Sequence, residues 1–461
     1  MAPKGRDRAS HLLLKPTILF LDSWLLPSPG PRSGVASVSL PAKEPYAVLD
    51  SLRIERFKSI ENQEIRFPRL TVLFGPNAAG KSNILDAIQV LSRLGTNRTL
   101  TDALSGPIRG NPIEAFAFPD GGLAELYKQS SARFSLDAVI TAKNTPYNYK
   151  VEVCIEPKTG SLYVGYEYLS TLQKRSLEPK GAPRIETVGD EIIIRSRQGR
   201  PRKERVDQNH TKLSDTRLGG AEYSAVAQCR QELERWRVYY LDPRTAMRTA
   251  RPPAEVSDIG LLGEDLAPFL YRLQVQEPSL FGQVKRTLRS IIPSVEDLKV
   301  ELDERRGLLD VGIRQDGKLF SSRIVSEGTL RIIALCAIAT NPWSGSLVAF
   351  EEPENGVHPK RIELVAKLIN SMATEARQVV VTSHSPLFCA KVIESANESN
   401  RPISLLSVSS AFDKTRVKRI DPQMPLFRDE LIRKHLADPL EDSVLEDLMK
   451  RGLLDADTLS G

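Results

Sequence analysis

Two rhythms alternate along this chain. Around a short turn, Leu52, Ile54 and Phe57 on one side and Ile65 and Phe67 on the other alternate with polar positions. That period suits an antiparallel hairpin with one buried face. "LTVLF" (Leu70–Phe74) is instead continuously apolar and stops at Gly75-Pro76, as a strand covered on both faces does. Ile84, Ile88, Leu91 and Leu94 then recur at helical spacing. From Ala132 to Leu172 the alternation returns and predicts further antiparallel strands. "AEYSAVAQCRQELERW" reads as a helix, "RVYYL" as a strand, and residues 261–302 as two amphipathic helices and a strand. Ile332, Leu335, Cys336 and Ala339 mark another helix; Leu347–Phe350, the run before His384 and "TRVKRID" read as strands. The expected class is α/β: a mixed sheet flanked by helices, with an antiparallel β lobe and a helical insertion.

Composition narrows the picture only a little. The 461 residues are 41% apolar, enough for a large core, and the net charge of +6 permits nucleic-acid binding without arguing for it. Cys154, Cys229, Cys336 and Cys389 form no CxxC pair, and the five histidines are scattered, so reduced core thiols are expected and a zinc or histidine metal centre is not. Residues 1–47 differ from the rest. Lys4, Arg6 and Arg8 precede an apolar run resembling an export signal, but Lys15, Pro16 and Asp22 interrupt it, and it is too short and charged to span a bilayer. A disordered extension ahead of a soluble, cytoplasmic protein is the expectation, with no membrane partner.

The chemistry begins where the buried strand ends. "GPNAAGKS" (Gly75–Ser82) satisfies G-x-x-x-x-G-K-[S/T] between a strand and a helix. In that setting Gly75, Pro76, Asn77, Ala78, Ala79, Gly80, Lys81, Ser82 and Asn83 form a phosphate cradle, with backbone N–H groups and a helix N-terminus facing the anion. Lys81 is the candidate for the β- and γ-phosphates of ATP, and Ser82 for Mg²⁺. With the hairpin before it, "IERFKSI…LTVLFGPNAAGKSN" resembles the opening of ABC-type ATPase heads of the SMC, RecF and OLD kind. That resemblance puts Phe57, Lys58 and Ser59 near the adenine; the plainer reading makes them only the hairpin turn.

The acidic partner is "LVAFEEPENGVHP", a short strand with Glu351 and Glu352 at its carboxyl end, where active groups of open α/β sheets collect. Glu351 is the expected Mg²⁺ ligand and Glu352 the general base for water. The run resembles the family's "EEPENGLHP" element, although most ABC ATPases carry Asp-Glu there. Val325-Ser326-Glu327-Gly328-Thr329 resembles the ABC signature in an S-x-G-T variant; the resemblance implies that Ser326, Glu327 and Gly328 reach the γ-phosphate held by a second copy, hence an ATP-sandwiched homodimer. Taken alone, Ser326 is a helix cap. By the same resemblance His384, after its β-branched strand, is the γ-phosphate sensor, and His358 belongs to a turn and subunit contact. No Q-loop glutamine stands between Leu94 and Leu126.

The expected organisation is an extension (1–47), the first half of the head (48–125), a β lobe with a basic loop (126–210), a helical insertion (211–295), the second half of the head (296–410) and a strand with a helical tail (411–461). Arg195, Arg197, Arg200, Arg202, Lys203 and Arg205 offer either a DNA-backbone contact or a solvated hairpin. No sustained heptads appear, and the C-terminal segment shows no Glu plus D-x-D set of a TOPRIM nuclease. The reading is therefore an ATP-hydrolysing protein, probed for partners among DNA in repair or anti-phage defence and a separate effector protein. The alternative is a nucleotide-gated sensor with negligible turnover.

Overall fold

The computed structural model describes residues 48–105, 110–206 and 208–420. Strands β1 (Leu49–Phe57) and β2 (Ile60–Arg66) form the hairpin, followed by β3 (Leu70–Phe74), α1 (Lys81–Leu94), α2 (Leu100–Leu104) and α3 (Leu123–Leu126). Six strands come next: β4 (Ala132–Ala142), β5 (Thr145–Glu156), β6 (Ser161–Thr171), β7 (Ile185–Val188), β8 (Glu191–Ile194) and β9 (Arg202–Arg205). Then follow α4 (Ser224–Leu233), β10 (Trp236–Tyr239), α5 (Leu266–Gln276), α6 (Pro278–Ile291), β11 (Val295–Asp303), β12 (Leu308–Gln315) and β13 (Lys318–Ser321). The last described part comprises α7 (Glu327–Thr340), β14 (Leu347–Glu351), α8 (Ile362–Met372), β15 (Gln378–Ser383), α9 (Pro386–Glu398), β16 (Ile403–Ala411) and β17 (Lys414–Ile420).

Three sheets result. The central one has the order β10-β14-β15-β3-β16-β17, parallel throughout except for β17. Its strands are apolar on both faces because both faces are covered. Leu70, Val72, Phe74, Val348, Phe350, Val379 and Val381 pack into one core with α7, α8 and α9. Leu73, Leu347, Ala349 and Val380 pack into the other with α1. This is why those runs lack alternation. The second sheet, β2-β1-β4-β5-β6-β7-β8-β9, is antiparallel, and β11-β12-β13 is a small antiparallel third.

The hairpin does more than feed β3. β1 pairs with β4 along most of its length, so the segment boundary expected at 125/126 falls inside one continuous sheet. Similarly β10, expected within the helical insertion, adds a parallel strand beside β14. The Gln378 side chain joins the two larger sheets, accepting from Leu49 N–H and donating to the carbonyls of Leu49, Phe67 and Pro68. All four cysteines are buried free thiols. No helix among the described residues is long and apolar enough to cross a membrane. The strand expected at 415–421 appears as β17; the extension 1–47 and the expected tail beyond Ile420 lie outside the described residues.

Candidate nucleotide site

β3 runs between β15 and β16, and at its carboxyl end the chain turns through Gly75–Gly80 into α1. Close neighbours demand the two flanking glycines. A Cβ on Gly75 would lie 2.0 Å from the Val408 carbonyl oxygen, and one on Gly80 2.0 Å from the Thr415 hydroxyl; Gly80 also has φ +97°. Gly75 N–H donates to Ser383 O at 3.2 Å, which seats the loop on the end of β15. The first turn of α1 has neither a side-chain cap nor an acidic residue, leaving its positive end open to an anion. Asn77 and Ala78 are exposed at the loop tip, while Ala79 is buried beneath it.

Lys81 is only 5% exposed. Its Nζ donates to Gly75 O (2.8 Å) and Pro76 O (2.9 Å) and lies 3.5 Å from a Glu352 carboxylate oxygen. Burial lowers the Lys81 pKa, with Glu352 opposing that shift. Ser82 Oγ donates to Glu351 Oε1 at the end of β14. Glu352 follows with φ +43°, left-handed backbone that a glutamate adopts only when its surroundings enforce it. Those surroundings are explicit. Glu352 N–H donates to Thr382 O and Oγ1, both at 3.2 Å, and Asn355 Nδ2 donates to Glu352 Oε2 at 2.6 Å. His384 Nδ1 stands 3.2 Å from Glu352 Oε1. Burial by itself would push Glu352 up, but His384, Lys81 and Asn355 outweigh it and hold the carboxyl at about 2. The same contact raises His384. Next to them Glu354 is fully buried, accepts from Ser383 Oγ, and is pushed up to about 7 by desolvation.

The strand ends of β3, β14 and β15 thus bring together Lys81, Ser82, Glu351, Glu352 and His384. Phe57, in the hairpin turn, is placed differently from the adenine-side expectation. Phe57 is fully buried, with its ring 5.3 Å from Phe134, so it faces the core rather than a base. Arg56, with φ +55°, breaks the alternation of β1 and turns Phe57 onto the covered face, and that burial wins. Lys58 donates to Asp86 Oδ2 at 2.7 Å, and Asp86 also accepts from Tyr240 OH at 2.5 Å. Ser59 Oγ shares a hydrogen bond with Thr415 Oγ1 (2.6 Å) and accepts from Asn83 Nδ2 (2.7 Å). Lys58, Ser59 and Asn83 therefore tie the turn to α1 and β17.

Ser326 caps α7, its Oγ accepting from Thr329 N–H at 3.2 Å. Gly328 is required by a close approach: a Cβ there would meet Gly356 O at 2.1 Å, on the turn after Glu352. Glu327 pairs with Arg244 at 2.9 Å. His358 Nδ1 accepts from Lys360 N–H and caps a turn. Sequence reasoning missed Thr382, Asn355, Asp86 and Thr415. Asn355 stood in the quoted "PEN" step; the others are distant in sequence from what they support and carry no local signal. In the basic stretch, Arg195, Arg202 and Lys203 pair with Glu186, Glu204 and Glu191 on the same lobe, which favours the solvated hairpin over a DNA contact. Among the described residues no group of three or more His, Cys, Asp or Glu could hold a metal by itself.

Fold and site together define a P-loop head of the AAA kind. The chain belongs to the family described as "AAA domain, putative AbiEii toxin, Type IV TA system", whose model matches residues 70–223 and 228–390. It is also 41% identical over 56 residues to a DNA replication and repair protein RecF from Picosynechococcus sp.; the match covers 12% of this chain and 14% of that protein. Among solved structures, an Smc head bound to the C-winged helix domain of ScpA overlays with TM-score 0.49 at 15% identity, covering 81% of this chain and 98% of that one. The SMC head domain from Thermotoga maritima overlays with TM-score 0.38 at 15% identity, over 81% and 99%.

Proposed function

We propose that this chain binds ATP with Mg²⁺ and hydrolyses it, two copies closing on two nucleotides and reopening after hydrolysis. The observation that carries the reading is the convergence of Lys81, Ser82, Glu351 and Glu352 at one carboxyl edge of the sheet. A serine hydroxyl touching a carboxylate, beside an anion cradle, is an oxygen donor set that suits Mg²⁺. The bound ion would neutralise phosphate charge. Lys81, drawn to the phosphates, leaves Glu352, which then regains basicity and accepts a proton from the attacking water. Ser326, Glu327 and Gly328 act in trans, and His384 reports the γ-phosphate. Lys58 and Ser59 remain assigned to the adenine side.

The substrate of the cycle is proposed to be DNA, in repair or anti-phage defence, supported by the segment shared with a replication and repair protein. A second reading has its own observation. The Glu351-Glu352 pair, where most ABC ATPases carry Asp-Glu, and the lack of a glutamine between Leu94 and Leu126 favour a clamp that binds ATP, hardly turns it over and controls a separate effector. Steady-state ATP hydrolysis with and without duplex DNA separates the two, with Lys81→Ala and Glu352→Gln as controls. DNA-stimulated turnover lost in both variants supports the first. Tight ATP binding with turnover no higher than in Glu352→Gln supports the clamp, and absence of ATP binding overturns both.

A further inference from the structure

The chain leaves β10 on a turn spanning residues 242–248. The Asp242 carboxylate builds it, accepting from the N–H groups of Arg244 (3.0 Å), Thr245 (3.1 Å) and Ala246 (3.2 Å). Arg248 then fastens the turn to the loop before Ser326. Its Nε donates to Pro243 O (2.7 Å), Nη1 to Ser322 O (3.0 Å) and to Arg323 O, and Nη2 to Val325 O (2.7 Å). The base is rigid, but the tip stands in solvent. Arg244 is 79% exposed, and its Nε donates to Glu327 Oε1 at 2.9 Å, with Glu327 itself 43% exposed. An exposed pair of this kind is weak, so a better acceptor displaces it readily.

Glu327 poses an electrostatic problem for the sandwich. It places a carboxylate in the first turn of α7, next to Ser326, where the phosphates of a second copy's nucleotide would arrive. Like charges at that range repel, and the helix end alone supplies only a fraction of a charge. A cation that can reach both anions removes the conflict, and Arg244 already holds one of them at 2.9 Å from an exposed tip. A cavity of about 360 Å³, lined by Val325, Ser326, Thr329 and Arg361 among others, opens beside the loop.

We propose that Arg244 contacts nucleotide in trans: its guanidinium exchanges Glu327 for a terminal phosphate oxygen of ATP held on the P-loop of a second copy. A planar fork of donors on a fixed base suits that role. The inference rests on the ATP-sandwiched dimer. It extends the signature residues by one that lies more than eighty positions upstream of them.

The test is complementation by mixing full-length chains. Arg244→Ala and Lys81→Ala, each tested alone, should lose at least tenfold in ATP turnover. A mixture of the two contains dimers with one intact composite site, the P-loop from one chain and Arg244 from the other. Heterodimers make up about half of an equimolar mixture and carry one intact site of two, so recovery to about a quarter of the wild-type turnover is the expected result. A parallel mixture of Ser326→Ala with Lys81→Ala isolates the sandwich itself. Recovery there but not with Arg244→Ala overturns the Arg244 assignment alone. Recovery in neither mixture removes the sandwich, and the assignment with it. The double variant Arg244→Ala/Glu327→Gln supplies the charge readout. Full turnover in that homodimer means Arg244 only neutralises Glu327, which overturns phosphate contact; continued loss supports it.

Discussion

At Glu352 a carboxylate, a lysine and a histidine are held within ion-pair distance on a backbone with positive φ. Strain of that sort persists only where several contacts enforce it, here Thr382, Asn355 and the end of β15. The loop before it is equally constrained. Gly75→Ala would push a Cβ into the Val408 carbonyl, and backbone on both sides leaves little to yield. The expected outcome is a loss of about 1–3 kcal/mol of stability in denaturant unfolding, with ATP binding weakened as β16 shifts. Unchanged stability and affinity would mean that β16 gives way freely. The meeting of Lys81, Ser82 and Glu351 at one sheet edge was legible because each sits inside a contiguous motif. Thr415 was not, because its contact with Ser59 and Gly80 joins residues more than three hundred positions apart.

Elements were legible wherever their period was clean. The buried strands β3, β14 and β15 announced themselves as unbroken apolar runs, and α1 by its spacing. Their partners were not readable, since a strand's sequence says which faces are covered and not which strand lies alongside. Hence β1 looked like a prelude to β3, although it pairs with β4. Gln378 is the hinge pin between these sheets, with both amide atoms used and the side chain buried. Gln378→Ala leaves the Leu49 N–H and the Phe67 carbonyl without that partner. The expected cost is about 1–3 kcal/mol in chemical denaturation, a size set by unsatisfied buried groups. A neutral result would show that the sheets dock through apolar packing alone.

On the scale of the whole molecule, two buried carboxyls set the pH response. Glu167 accepts from Lys212 N–H, Leu213 N–H and Tyr149 OH, tying the β lobe to the segment whose Thr211 hydroxyl donates to Leu94 O at the end of α1. Desolvation pushes Glu167 up to about 7, and Glu354 likewise. Both folded-state values exceed the ordinary 4.5 of an unfolded chain. The folded state therefore binds more protons in between, and stability falls as pH rises from about 4.5 through 7. The raised His384 acts in the same direction. Glu352 acts oppositely, but its loss of stability comes only as pH falls from 4.5 toward 2. Thermal unfolding should thus show a lower Tm at pH 8 than at pH 5, with a shallower slope in Glu167→Gln. A Tm that rises across that interval contradicts the burial argument. For the assembly, ATP added to Glu352→Gln should double the mass in sedimentation, and ATP added to Lys81→Ala should leave it unchanged; monomers in both would argue against closure on nucleotide.

The sequence by itself determined the P-loop, the paired glutamates at a strand end, Ser326 at a helix start and the histidine after a strand, because each is a local arrangement of backbone and side chain within a few residues. It also determined the α/β class, since period follows from which faces are covered. Tertiary structure alone decided that β1 and β2 belong to the lobe sheet, that Phe57 faces the core and that Lys58 is bound to Asp86. It alone brought Arg244 and Arg248 to the signature loop. Those outcomes depend on which distant segments share a surface, and burial and charge pairing across such distances leave no periodic trace in the chain.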